Sequence, residues 1–163
     1  MIESGEWERR VDEVWNTASS RTEQEVIEAI ADLVQQRPEG DAAALYERAS
    51  AFDYAGREAD AEPLYRQALA AGLDPKRRPR AVIQLASTLR NLNQAAEAVA
   101  LLEAEAADDD LADARSAFLA LALMDAGRPE QALAHALSAL AGHLTDYRRA
   151  VQFYADDMGQ RSG

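Results

Sequence analysis

Three helix-breaking residues recur at nearly constant spacing, and each stands between two amphipathic segments of similar length. They are Gly56, Asn93 and Gly127, which lie 37 and 34 residues apart. Glycine and asparagine are the residues that best tolerate the left-handed backbone of a tight turn between helices. A period of this length predicts helix–turn–helix units that stack on one another, each unit covering the apolar face of its neighbour.

The composition favours helices along the whole chain. Alanine and leucine are abundant, whereas valine, isoleucine and threonine are few. Alanine is the strongest helix former, and β-branched residues are the ones that strands need. The chain is therefore predicted to be all-α.

Capping signals extend the pattern beyond the three units. Thr22 and Glu25 have the spacing of a capping box, Asp41 suits a helix N-cap, and Thr145 is expected to cap the last helix. That last helix is predicted to pack through Tyr147, Ala150, Val151, Tyr154 and Met158. The predicted organisation is a single domain over 1–163, with a divergent helix pair at 5–40, repeats at 41–75, 76–109 and 110–142, and a capping helix at 143–158.

Small residues stand at matching positions of the two helices in each unit. The pairs are Ala49 with Ala61, Ala86 with Ala98, and Ala120 with Ala132. In this respect the units resemble tetratricopeptide (TPR) repeats, in which small residues let two helices cross closely.

The chain as a whole, over roughly residues 5–157, is also similar to a family of short acidic TPR proteins of actinobacteria. Two stretches carry this similarity, ERASAFDYAGREADAEPLYRQAL and VIQLASTLRNL. The resemblance implies a TPR-like right-handed α-solenoid of antiparallel helix pairs, with about nine helices and no assigned enzymatic activity.

Charge and cysteine usage exclude several classes of function. The chain has no cysteine and a formal net charge of −12. Without thiols there are no disulfides, Cys-ligated zinc sites or iron–sulfur clusters. The acidity argues against nucleic acid and anionic membrane surfaces, which attract basic proteins. No apolar run is long enough for a membrane span or signal peptide, so a cytoplasmic location is expected.

No recognisable catalytic or metal-binding motif is present. His135 and His143 are eight residues apart, but Gly142 is expected to end their helix before the second one. Asp108-Asp109-Asp110 lacks the spaced ligands of a calcium loop, and acids before a helix are explained by capping. Phosphate loops, nucleophile elbows and HExxH motifs are absent from the sequence. We expect no metal, no cofactor and no enzymatic activity.

The first helix of each unit is predicted to supply the binding surface, because these helices line the concave side of a TPR solenoid. On the helix near 80–92, apolar residues form one side and a ridge of polar residues forms the opposite side. The candidate partner-binding residues are Arg80, Gln84, Ser87, Arg90 and Asn91 in the second unit, Tyr46, Ser50, Asp53 and Tyr54 in the first, and Leu121, Met124 and Asp125 in the third. Such a groove suits a peptide with an acidic group and an apolar anchor. The alternative is a plain solvated face, or one covered by the C-terminal helix.

Three functional hypotheses follow. The first is a non-enzymatic scaffold that binds a peptide segment of a partner protein in the concave groove. The second is a self-associating structural module, a homodimer whose groove or edge is filled by its own partner chain. The third, a small-molecule sensor or an enzyme subunit, has no convergent polar cluster to support it. The carboxylate clamp of chaperone-binding TPR proteins is not matched, because Gln84 and Leu121 stand where it requires asparagine and a basic residue.

Overall fold

The computed structural model describes residues 3–105 and 110–161, and in these ranges every regular element is a helix. The contacts divide the chain into two compact units, Met1–Thr88 and Leu89–Gly163. The sequence does not indicate this division, and a single domain over 1–163 stays a prediction. The predicted all-α class is confirmed.

The described residues contain nine α-helices and one 3₁₀ turn. Unit 1 holds α1 (Ser4–Thr17), the 3₁₀ turn (Ala18–Ser20), α2 (Glu23–Val34), α3 (Ala42–Tyr54), α4 (Glu58–Ala71) and most of α5 (Arg78–Asn91). Unit 2 holds the end of α5, then α6 (Ala95–Ala104), α7 (Ala112–Asp125), α8 (Pro129–Ala141) and α9 (Arg148–Arg161). The predicted boundary between the second and third repeats, and Asp108 and Asp109, lie outside the described residues.

Two of the predicted N-caps are confirmed. The hydroxyl of Thr22 accepts the backbone N–H of Glu25, and the Glu25 carboxylate accepts the backbone N–H of Thr22. Asp41 accepts the backbone N–H of Ala44 at 2.9 Å and begins α3. These bonds satisfy N–H groups that have no partner inside the helix, which explains why the two helices start where they do.

The three repeated turns have the backbone that their residue types predicted. Gly56, Asn93 and Gly127 have φ angles of 65°, 61° and 75°, all in the left-handed region. Each lies in a short connection, between α3 and α4, α5 and α6, and α7 and α8 respectively. Connections this short favour antiparallel neighbouring helices.

Large apolar residues of the first two helices are buried, and so are the small residues predicted at helix crossings. In unit 1, Trp7 and Val26 are fully enclosed, and the Trp7 indole N–H donates to the Leu33 carbonyl at 2.9 Å. The small residues predicted at helix crossings are all buried, and these are Ala49, Ala61, Ala86, Ala98, Ala120 and Ala132. The lack of bulk at Ala49 and Ala61 allows the close approach of α3 and α4 in unit 1, and that at Ala120 and Ala132 allows the close approach of α7 and α8 in unit 2.

The last helix differs from its prediction in both start and orientation. It begins at Arg148, and Thr145 does not cap it but hydrogen-bonds Asp146 instead. The backbone of Tyr147 has a left-handed φ of 61°, so the chain turns sharply just before α9, and the Tyr147 side chain is exposed. The residues of α9 that pack inward are Val151, Ala155 and Met158, whereas Tyr147, Ala150 and Tyr154 of the predicted stripe are exposed.

Candidate functional site

Unit 1 contains a groove of about 450 Å³ between its first, third and fifth helices. Six of the predicted binding residues line this groove, namely Tyr46, Ser50, Asp53, Tyr54, Arg80 and Gln84. They come from α3 and α5, the first helices of the first two predicted repeats. The structure thus brings together six of the seven predicted site residues that fall in unit 1.

The remaining predicted residues do not line this groove. Ser87 is half-buried on α5, and the other five belong to unit 2, these being Arg90, Asn91, Leu121, Met124 and Asp125. The Arg90 guanidinium donates to the Asp125 carboxylate at 2.7 Å, so these two residues bond to each other within unit 2. Leu121 and Met124 are exposed on α7.

Aromatic rings form one side of the groove. Trp15 of α1 meets Tyr54 of α3 edge to face, with ring centroids 6.1 Å apart. In the sequence Trp15 follows Trp7 and Val11 at helical spacing, which predicts a core position for it, but its side chain is half-buried and lines the groove. Tyr46 is buried beside them, and burial raises the pKa of its phenol to about 12. A hydrogen bond between the Tyr46 hydroxyl and Ser50 acts on this pKa in the opposite direction.

A buried carboxylate lies under the aromatic side. Glu47 is only 4% exposed, and it accepts the Trp15 indole N–H at 2.8 Å and the Arg77 Nε–H at 3.1 Å. Burial raises the pKa of Glu47 above its usual range, although these two donors act in the opposite direction. The indole N–H is the only hydrogen-bond donor of the Trp15 side chain, and its bond to Glu47 holds the indole ring in place.

Arg77 has a structural role, because its guanidinium contacts other side chains of unit 1. Its guanidinium forms ion pairs with three carboxylates, those of Glu8, Glu47 and Asp74. It also lies 5.8 Å from the centroid of the Trp7 ring, within the range of a cation–π contact. The charge of Arg77 is thus compensated inside unit 1.

Within the groove, the positive charge that faces solvent comes from Arg80 and Lys76. Both side chains are exposed and line the groove, and the Arg80 guanidinium donates to the backbone carbonyl of Lys76. A guanidinium has five N–H donors, so this bond leaves others for a ligand. This end of the groove can bind a carboxylate or another anionic group.

Polar groups line the part of the groove beside α5. Asp53 accepts hydrogen bonds from the Tyr65 hydroxyl at 3.2 Å and the Thr88 hydroxyl at 3.3 Å, and burial raises its pKa. The neighbouring Gln84 differs, because its buried side-chain oxygen has no hydrogen-bond donor among the described residues. A buried acceptor without a donor is destabilising, and such groups are rare in native proteins.

The groove includes residues that the sequence analysis missed, these being Val11, Asp12, Trp15, Glu47, Lys76 and Arg77. One signal was available, since Glu47 interrupts an otherwise apolar side of α3 and an acid there needs a partner. The contribution of α1 had no such signal, because α1 lies outside the three clear repeats. Within residues 3–105 and 110–161 no cluster of three potential metal ligands occurs, and no helix there is long and apolar enough to span a membrane.

Comparisons with known proteins agree with the repeated helix pairs. The family model of the tetratrico peptide repeat matches residues 42–158. Among solved structures, the chain is similar to the nearly identical TPR-like repeats of a Podosopora anserina chain assigned as a kinesin light chain, with 19% identity and a TM-score of 0.72. That match covers 99% of this chain and 87% of the other, and at such low identity it shows the fold alone. No protein with a curated description matches significantly. The predicted resemblance to TPR repeats is confirmed, and the narrower similarity to actinobacterial proteins stays a prediction.

Proposed function

Because the chain belongs to the tetratrico peptide repeat family, we propose that it is a non-enzymatic, cytoplasmic scaffold that binds a peptide segment of another protein. Proteins with this repeat are in general protein-interaction scaffolds. The proposed binding site is the groove of unit 1, lined by α1, α3 and α5.

The observation that carries this proposal is the unpaired side-chain oxygen of Gln84 in the groove lining. The oxygen itself is buried, so the Gln84 amide must rotate towards the groove, where a backbone N–H of an extended peptide would supply the missing donor. The bond would remove the cost of a buried, unsatisfied acceptor, which is about 1–3 kcal/mol. Ligand binding therefore explains why a polar residue is kept at this position.

The other groups in the groove define the ligand. Arg80 and Lys76 offer exposed positive charge, which favours a peptide with an acidic group. Trp15 and Tyr54 offer aromatic surface for an apolar side chain. The chain has a net charge of −12, so an acidic peptide is repelled by much of the surface and attracted where basic side chains such as Arg80 and Lys76 are exposed, which sharpens specificity.

A peptide display library would identify ligands, and fluorine NMR of the protein labelled with 5-fluorotryptophan would locate them. The chain has two tryptophans, and only Trp15 lines the groove, whereas Trp7 is fully buried. A peptide in the groove should shift the Trp15 resonance and leave the Trp7 resonance unchanged. Trp7 thus serves as an internal control for unfolding.

Two variants test the roles of the polar residues. Arg80→Ala should weaken binding about tenfold or more, whereas Arg128→Ala, at an exposed arginine of unit 2, should not. Gln84→Leu should also weaken binding, but it should not lower the free energy of unfolding, because it removes an unsatisfied buried group. If selected peptides bind the Arg80→Ala/Gln84→Leu protein as tightly as the wild type, the groove of unit 1 is not the binding site.

A further inference from the structure

The C-terminal helix has aromatic side chains on its exposed side. Phe153 is 67% exposed and Tyr154 is 59% exposed, and their rings touch edge to face with centroids 5.7 Å apart. A helix that only closes the end of a repeat array has a polar outer surface. Aromatic rings on that surface therefore require another explanation.

Charges of opposite sign flank these rings along α9. Arg149 lies one turn before Phe153 and Asp156 lies about one turn after it, and both are exposed. The spacing of four and then three residues places all three side chains on one face of the helix. We name this face, with the adjacent Ala150 and Tyr154, the outer face of α9.

We propose that the outer face of α9 is a self-association surface, which packs against the same face of a second copy in antiparallel orientation. The twofold axis passes near residues 152–153, so Arg149 of each copy lies opposite the partner subunit's Asp156. Phe153 and Tyr154 then pack against the same rings of the second copy. Asp156 keeps one carboxylate oxygen for this pair, because only its other oxygen accepts the Gln152 amide within α9.

The arrangement of charge favours a second copy over an unrelated partner. A twofold contact uses the same face twice, so the face must be complementary to itself after reversal. The outer face of α9 meets this requirement, since it is positive at one end, aromatic in the middle and negative at the other end. A helix of 14 residues is about 21 Å long, so one such contact is smaller than a standard stable interface. The dimer should therefore be weak and depend on concentration.

Sedimentation equilibrium of the full chain tests the proposal directly. The wild type should double its mass as its concentration rises from about 1 μM to about 1 mM, the range expected for a small interface. Arg149→Asp and Asp156→Arg should each remain monomeric at ten times the concentration at which the wild type dimerises, because each homodimer would contain two like-charge contacts. An equimolar mixture of the two variants should dimerise again, since every pair is then complementary.

Further variants separate this surface from a general effect of apolar exposure. Phe153→Glu should abolish the dimer, whereas Leu121→Glu, at an exposed leucine of α7, should not. A wild type that stays monomeric over the whole range would overturn the proposal, and so would a mixture that fails to recover the dimer. The proposal is independent of the peptide groove, because Arg149→Asp should leave the peptide-induced shift of Trp15 unchanged.

Discussion

The indole N–H of Trp15 donates to the carboxylate of Glu47 at 2.8 Å, which joins α1 to α3 at the base of the groove. A buried carboxylate is costly unless its lone pairs are used, and here an indole and a guanidinium both donate to it. The bond therefore explains how an acid is accommodated inside unit 1. It also explains why a tryptophan that the sequence assigned to the core lies beside the groove.

Glu47 should make stability depend on pH. Burial raises its pKa in the folded protein above the ordinary value of 4.5, so the folded state binds the proton more tightly than the unfolded state. Its contribution is complete below the unfolded pKa and is lost as the pH rises through the folded pKa. The free energy of unfolding of the wild type, relative to Glu47→Gln, should therefore increase as the pH falls from about 7 towards about 5. Urea unfolding of both proteins over this range measures the difference, and a decrease on acidification would contradict it.

The helix crossings provide a test of the repeat register. Ala86 is fully buried on α5 at a position that the repeat register assigns to a helix crossing, so Ala86→Leu should overpack its surroundings and lower the free energy of unfolding by about 1–3 kcal/mol. Ala100→Leu, at an exposed position of α6, is the matched control and should have little effect. Equal thermal midpoints for the wild type and Ala86→Leu would show that the site has room for the larger side chain.

The helices and their crossings could be predicted because their signals are local. Gly56 and Asn93 mark turns through backbone preference, and the buried alanines follow the helical period. Thr145 failed as a cap for a physical reason. An N-cap must immediately precede the first helical turn, and the chain instead turns at Tyr147 before α9 begins. Local residue preference alone did not indicate that turn.

Two glycine substitutions should have opposite effects on stability. Gly56 has a φ of 65° and no atom within 4 Å of an added Cβ, so Gly56→Ala should destabilise through backbone strain alone, by about 1–2 kcal/mol. Gly5 lies in the first turn of α1, also with open space around it, and Gly5→Ala should stabilise by roughly 0.5 kcal/mol. Thermal unfolding of the two variants measures both effects. The same sign for both would mean that backbone conformation does not decide the outcome.

The binding site was only partly predictable, because it depends on contacts between residues far apart in the sequence. The spacing of α3 and α5 placed Tyr46 and Arg80 on comparable faces, and both line the groove. The same spacing also selected Leu121 and Asp125, which belong to unit 2. Repeat correspondence identifies equivalent positions along a chain, but it does not tell which of them share a cavity.

Arg77 and Arg80 lie three residues apart, but truncation should destabilise the protein strongly at Arg77 and hardly at all at Arg80. Arg77→Ala removes a donor from the buried carboxylate of Glu47 and should lower the free energy of unfolding by about 3 kcal/mol, as expected when one partner of a buried ion pair is lost. Arg80→Ala removes an exposed side chain and should change it by less than about 0.5 kcal/mol. Urea unfolding compares the two directly.

A double variant shows whether the uncompensated charge causes that loss. In Arg77→Ala/Glu47→Gln the buried group is neutral, so the double variant should be more stable than Arg77→Ala alone. Acidification should also restore part of the stability of Arg77→Ala, because a protonated Glu47 no longer needs the guanidinium. If the two substitutions simply add, with no recovery at low pH, then Arg77 stabilises unit 1 through packing on Trp7 and its pairs with Glu8 and Asp74, and not through Glu47.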